Sequence, residues 1–160
     1  MIDFALADRA GRRVTLRPVG DDNWRAVADV APRDDQRAWV AALAARYLLL
    51  SMRSDVWTSL AVYADGTVVG HVMWGTDDDG SRWIGGMVID APEQGRGVGR
   101  AAVRTLAGWL ADQGAGHPVR LSYHPDNAGA ARLYTSLGFV PTGAVEDDEL
   151  VAELTGPTRP

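Results

Sequence analysis

The feature that most restricts this chain is the stretch Gln94-Gly95-Arg96-Gly97-Val98-Gly99-Arg100, set between a run of strands and a helix. Glycines at alternate positions let backbone N–H groups converge on one point with no Cβ in the way. Ala102, Val103, Leu106 and Leu110 fall on one face and predict a helix from about Val98 to Gln113, stopping near Gly114. The free N–H groups of its first turn, and the positive end of its dipole, point where the loop points. Such an arrangement suits a diphosphate.

The segments before the loop read as a meander. Trp57–Tyr63, Thr67–Trp74 and Arg82–Ile89 predict three strands, joined through the hairpin signal Ala64-Asp65-Gly66 and the solvated turn Asp77-Asp78-Asp79-Gly80. Upstream, Val14 to Val19 alternates and meets Pro18, a strand, with a short strand expected at Ile2–Leu6. Asp21 or Asp22 is expected to cap a helix through about Val30, and Trp39, Val40, Leu43, Tyr47 and Leu50 give a second helical stretch from about Asp34 to Met52. Downstream, Val119–Tyr123 predicts a strand, Asn127 a helix ending at Leu137-Gly138, and Phe139–Thr142 with Glu149–Leu154 two final strands. The sum is an α+β chain around one mixed sheet.

Composition narrows the chemistry. The 160 residues and 46% hydrophobic content suit a single domain with its own core. There is no cysteine, which removes disulfides, thiol nucleophiles and zinc–thiolate sites. His71, His117 and His124 share no metal-ligand spacing, so no metal is expected. A balance of 16 basic against 21 acidic residues gives −5, a charge that repels phosphate backbones and attracts small cations. No nucleic-acid or membrane partner is expected. No apolar run reaches the ~20 residues that span a bilayer, and the start carries acid early, unlike a secretory signal. A cytoplasmic location is the expectation.

Three readings of the glycine loop compete. A dinucleotide fingerprint needs G-x-G-x-x-G after the first strand of a βαβ unit, whereas this spacing is G-x-G-x-G after a meander. A nucleoside-triphosphate loop needs G-K-[ST], which is absent. The third, a loop for the pyrophosphate of coenzyme A, fits the order of elements. Gln94-x-x-Gly97-x-Gly99 resembles the Q/R-x-x-G-x-G/A signature of the GCN5-related N-acetyltransferases (GNAT). The similarity extends upstream through Met87-Val88-Ile89-Asp90 and downstream from Leu121 through Asn127 and Tyr134 to Leu137-Gly138-Phe139, covering about Arg17 to Val151.

The resemblance implies a GNAT fold over one domain, its core at about 12–154. The sheet would be mixed and mostly antiparallel, of about six to seven strands flanked by about four helices, with coenzyme held at a splayed strand pair. Met87, Val88 and Ile89 would hydrogen-bond the pantetheine arm of acetyl-CoA through their backbone. Gln94, Gly95, Arg96, Gly97, Val98, Gly99 and Arg100 would hold the pyrophosphate, and Asn127 would contact the coenzyme as well as cap its helix. Tyr134 would bind coenzyme and act as the general acid on the leaving thiolate. No motif selects the base from Glu93, Asp90, His71 and Asp35. A homodimer is frequent in the family.

Within the family the chain looks most like bacterial spermine/spermidine acetyltransferases, through Leu16-Arg17-Pro18, Asn23-Trp24, Asp35-Gln36, Trp39-Val40, Val69 to Gly75 and Gly143 to Asp147. A polyamine acceptor is therefore expected, its charge met by Asp34, Asp35 and the Glu146–Glu149 cluster. Gly85-Gly86 departs from such relatives, which usually carry an arginine in that stretch of strand, and so does Ala41-Ala42-Leu43, where a polar pattern is expected after Trp39-Val40. These departures keep two alternatives open: a non-catalytic acyl-CoA-binding module, and an enzyme for another amine (aminoglycoside, amino acid or protein N-terminus).

Overall fold

A computed structural model describes residues 1–113 and 116–156. Seven strands form one sheet: β1 (Val14–Pro18), β2 (Trp57–Ala64), β3 (Thr67–Thr76), β4 (Arg82–Ile89), β5 (Val119–Tyr123), β6 (Phe139–Glu146) and β7 (Glu149–Leu154). Their order is β1-β2-β3-β4-β5-β7-β6, antiparallel throughout except between β4 and β5. The helices are α1 (Trp24–Ala28), α2 (Ala45–Arg53), α3 (Val98–Gln113) and α4 (Ala128–Thr135). The expected mixed, mostly antiparallel sheet with four helices is what forms.

Period-2 alternation sends one set of strand residues to each face. Val14, Leu16, Val62, Val72 and Ile84 meet Ala102, Val103, Leu106 and Leu110 of α3. Ala61 and Tyr63 meet Val27 of α1 and Leu48 of α2 on the other face. Leu106 and Leu110 are at most 1% exposed, so truncating either to alanine would cost about 2–5 kcal/mol. The β2–β3 hairpin turns through Asp65 (φ 45°) and Gly66 (φ 82°), as the Asp-Gly signal requires.

Several boundaries differ from the sequence reading. Ile2–Leu6 is not a strand; it contributes only the bridge Ile2–Leu16, with Ala7–Arg13 beside it. The first helix is shorter and starts after Asn23, not Asp21 or Asp22. Asn23 accepts from the Gly20 N–H and donates to the Pro18 carbonyl and the Tyr63 hydroxyl, pinning the β1 exit.

The long second helix is broken. A single 3₁₀ turn at Asp34–Gln36 is followed by turns, and α2 begins only at Ala45. The backbone groups a continuous helix would use are taken elsewhere: the Ala41 N–H donates to the Tyr47 hydroxyl and the Ala44 N–H to the Val30 carbonyl. Val40 and Ala44 thereby pack with Val30, Tyr47 and Val88 against the end of β4. The helical spacing was real, but it serves a wall folded against the sheet.

The last helix stops at Thr135, and Gly138 (φ 92°) turns the chain into β6, which runs four residues past its expected end after an irregularity between Pro141 and Val145. The expected cap at Gly114 lies outside the described residues.

Candidate active site

The site begins where two strands part. β4 and β5 pair only at Arg82–Val119, Trp83–Arg120 and Ile84–Leu121. The β3–β4 ladder is itself irregular between His71 and Met73, where Gly86 takes φ 56°. This bulge reverses the alternation: Ile84 packs on the α3 face, Val88 on the opposite one. Beyond it the Asp90 N–H donates to the Val69 carbonyl at 2.9 Å. By strand alternation the Ile89 N–H and carbonyl face the other way, into the gap left by β5.

The glycine loop closes one end of that gap. Gly95 (φ 75°) and Gly97 (φ 90°) adopt the left-handed backbone that favours glycine, and α3 starts at Val98. The Gln94 side-chain amide donates to the Ile89 carbonyl at 2.9 Å and to Gln36 Oε1 at 2.7 Å, tying the loop to the strand end and to the wall. The outer side of the loop is held by a residue the sequence reading did not single out. Arg9 donates its backbone N–H to the Arg96 carbonyl at 2.8 Å and its guanidinium to the Gly95 carbonyl at 3.0 Å. Arg12 braces that segment between Asp8 and Glu93. No periodicity marks Arg9 and Arg12; only the fold brings them to the loop.

A cavity of about 530 Å³ lies along this surface, lined by Met87, Val88, Ile89, Gln94, Gly95, Gly97, Gly99, Arg100, Asn127 and Tyr134 together with Arg9, Arg33 and Arg132. Of the residues expected there, the Arg96 and Val98 side chains do not line it. Arg96 lies 3.9 Å from Glu93, and Val98 is buried in the core at 1% exposure. Arg100 donates to Ser136 Oγ. Asn127 Oδ1 accepts from the Ala130 N–H at 3.1 Å, so it is the α4 cap.

A second cavity, about 690 Å³, opens on the other side of Asn127 and Tyr134, which line both. Among the described residues its walls carry the aromatic rings of Trp39, Tyr47, Trp57, Trp83 and Tyr123, the carboxylates of Asp77, Glu146, Asp147 and Glu149, and one cation, Arg46. Glu149 accepts from the Ser122 hydroxyl. Tyr134 stands at the junction, its ring against Tyr123 and Phe139 with centroids 5.7 and 6.1 Å away. Burial pushes its phenol up to about 12, with Glu149 and then Tyr47 adding to the shift. The hydroxyl is therefore protonated throughout the neutral range, as a proton donor must be.

The four base candidates do not line this second cavity. Glu93 is engaged by Arg12, Asp90 accepts from the Ala31 N–H, and Asp35 pairs with Arg33 at the surface. His71 is 0% exposed beneath the floor, and burial lowers its pKa to about 4 against a smaller opposing effect from the Gly86 carbonyl. Asp34 and Asp35 also lie outside the cavity, so of the expected acidic groups only those around Glu146–Glu149 contribute. Gly85 and Gly86 have structural work: a Cβ at Gly85 would meet the Trp57 ring at 3.1 Å, and one at Gly86 would meet Met73 and His71 at 3.1 and 3.2 Å. Among the described residues no cluster of His, Asp or Glu is arranged to hold a metal ion, and no helix is long and apolar enough to cross a membrane.

The family model described as Acetyltransferase (GNAT) family matches residues 13–139. The chain belongs to the GNAT acetyltransferases. It is similar to the spermine/spermidine N(1)-acetyltransferase of Bacillus subtilis (strain 168), 26% identical over 140 residues that cover 83% of this chain and 91% of the relative. Among solved structures it resembles AAC(6')-Ib in complex with ribostamycin and coenzyme A, with a TM-score of 0.73 at 21% identity, covering 89% of this chain and 93% of that one. It also resembles the GNAT domain of S. lividans PAT, with a TM-score of 0.72 at 18% identity over 93% and 94% of the two chains. This GNAT protein is an N-acetyltransferase that uses acetyl-CoA as its donor and an amine as its acceptor.

Proposed function

We propose that residues 12–154 act as one catalytic domain that acetylates a cationic, flexible amine of the polyamine class, with Tyr134 as general acid. The observation that carries the acceptor class is the second cavity, where, among the described residues, four carboxylates face one arginine among five aromatic rings besides Tyr134. Carboxylates attract ammonium groups and aromatic faces stabilise them by cation–π contact, while the rings cover the methylene segments between. A spermine/spermidine acetyltransferase among the relatives supports the same class.

The residues divide the work along the two cavities. Gly95, Gly97 and Gly99 leave the loop and the start of α3 free to present N–H groups to a pyrophosphate, and Arg9, Arg100 and Arg132 add positive charge on that side. Met87 and Ile89 offer main-chain groups to the pantetheine arm. Acetyl-CoA supplies a thioester carbonyl and a sulfur leaving group. The unprotonated amine attacks the thioester carbon and forms the C–N bond. As the C–S bond breaks, Tyr134, between the cavities, donates its phenolic proton to the sulfur. The proton lost from the acetylated nitrogen passes to water, from which the phenolate is reprotonated. Asn127, fixed as the α4 cap, keeps its amide N–H₂ at the same junction.

The test is thiol release from acetyl-CoA with spermidine, spermine, an aminoglycoside, free amino acids and a peptide N-terminus. The polyamines are expected to give the highest kcat/KM. A higher kcat/KM for an uncharged monoamine or an amino acid would remove the polyamine assignment. Coenzyme binding with no turnover on any amine would remove the catalytic role of Tyr134.

A further inference from the structure

Among the described residues, His71 is a fully buried ionisable side chain beside the acceptor cavity that acetyl transfer does not use. It lies on β3 under the bulge of β4, its ring parallel to Tyr47 with centroids 5.7 Å apart. Its Nδ1 is 2.7 Å from the Gly86 carbonyl oxygen and its Nε2 is 2.9 Å from Ser59 Oγ. Ser51 Oγ follows at 2.8 Å from Ser59 Oγ.

Elementary valence fixes the protons. A carbonyl oxygen only accepts, so the hydrogen sits on Nδ1. In the neutral ring that burial enforces, Nε2 then accepts from the Ser59 hydroxyl, while the single hydroxyl hydrogen of Ser51 is shared between Ser59 Oγ at 2.8 Å and the Leu48 carbonyl at 2.9 Å. The result is a one-way chain, Ser59 to His71 to Gly86, that ends on one peptide group.

That peptide is where β4 leaves its regular ladder. A trans peptide is planar, so its C=O and N–H point in opposite directions. With the Gly86 carbonyl drawn toward β3, the Met87 N–H points away from β3, to the side where β5 no longer pairs and where Met87 lines both cavities. We infer that His71 is a positioning residue: it holds the Gly86–Met87 peptide so that the Met87 N–H donates to the acyl carbonyl oxygen as negative charge builds there. Gly86 is part of the device, since φ 56° lets the peptide turn and a Cβ would crowd the histidine ring at 3.2 Å. The inference rests on the acetyl-transfer reading, because a donor N–H matters only if a carbonyl is attacked beside it.

Two measurements test it. Imidazole 15N–1H correlation spectra of the protein at neutral pH, with His71 assigned by its loss in a variant, are expected to show the Nδ1–H tautomer; an Nε2–H tautomer overturns the inference. Kinetics of His71→Asn and His71→Leu form the second arm. The asparagine side chain can still donate to the Gly86 carbonyl and is expected to retain kcat within a few-fold. Leucine cannot, and kcat is expected to drop by roughly tenfold to a hundredfold, the scale of a misplaced reacting group. Acetyl-CoA affinity by calorimetry should be unchanged in both. Equal losses in both variants, or a loss confined to coenzyme affinity, would reduce His71 to a packing residue. Should His71→Leu not fold, Ser59→Ala replaces it: losing the Nε2 partner loosens the tautomer, and kcat is expected to fall with coenzyme affinity kept, an unchanged kcat counting against the inference. A wild-type protein that binds acetyl-CoA but turns over no amine sinks the acetyl-transfer reading instead, whatever tautomer His71 adopts.

Discussion

The two cavities that meet at Tyr134 are built in opposite ways. The donor side is centred on one continuous stretch, Met87 to Arg100, in which a strand end, a turn and a helix start bring main-chain groups together. The acceptor side is assembled from side chains of α2 and the segment before it, of β2, β3, β4 and β5, of α4, and of the β6–β7 hairpin. Main-chain recognition depends on where the backbone can go, so it writes a local pattern of glycines into the sequence. Side-chain recognition depends on which residues the fold gathers, and leaves no contiguous trace. A diphosphate grip is therefore readable from spacing, whereas the acceptor cavity becomes visible only in three dimensions.

Substitutions can break or sharpen this contrast. The largest effect is expected at the shared residue. Tyr134→Phe should lower kcat by about 10²-fold or more, the usual scale of a positioned proton donor, while coenzyme affinity by calorimetry stays within a factor of two to three; an unchanged rate would take Tyr134 out of the chemistry. Because its phenol is held up to about 12, wild-type activity should show no alkaline loss from this group below about pH 11.

Next in size is a test beneath the acceptor floor. His71 is buried with its pKa near 4, against an unfolded value near 6.5. The unfolded chain binds the extra proton between those values, so stability falls as pH drops from about 6.5 to about 4. The loss is on the order of 3 kcal/mol. Chemical denaturation at pH 7.5 and 4.5 should show it, and His71→Asn should remove most of the difference. The same pH dependence in that variant would assign the effect to other groups.

On the donor side, Gly97→Ala must place a Cβ at φ 90° and 3.2 Å from Arg9 Cγ. Coenzyme should bind about tenfold more weakly, with a stability loss of about 1–2 kcal/mol, while kcat at saturating coenzyme should change far less; normal coenzyme affinity would deny the loop its role. Across the junction, Glu149→Gln should raise KM for spermidine several-fold without altering coenzyme affinity, the scale of one partly exposed charge pair. An effect on coenzyme binding alone would erase the division between the cavities. The smallest change is a control: Thr105 Oγ1 is buried in α3 without a hydrogen-bond partner, so Thr105→Val should stabilise by up to about 1 kcal/mol and leave both kinetic constants alone.

How much of this was legible follows residue by residue. The meander β2–β3–β4, α3 and the Asn127 cap were readable, because turn signals and apolar periods sit at their ends. The stretch Asp34–Met52 was not. Its apolar period matched a helix, but the Tyr47 hydroxyl and the Val30 carbonyl capture N–H groups that a helix needs, and no local signal records partners that far away. Residue type and acidity alone offered Asp90, Glu93, Asp35 and His71 as bases. Asp90, Glu93 and His71 each have a partner that only the fold supplies, whereas Asp35 pairs at the surface with Arg33, two residues away. Glu149, by contrast, stood out only as one member of an acidic run until β7 brought it beside Ser122 and Tyr134. Arg9 left no mark at all.

Arg9 has one further consequence. By occupying the Gly95 and Arg96 carbonyls, it leaves the glycine turn little freedom to lose when a ligand arrives. Fixing a backbone residue costs about 1–2 kcal/mol of conformational entropy, and here that ordering is completed during folding, not at the moment of encounter. The grip on the coenzyme is thus rigid before anything is gripped, even though it is made of the residues most able to move.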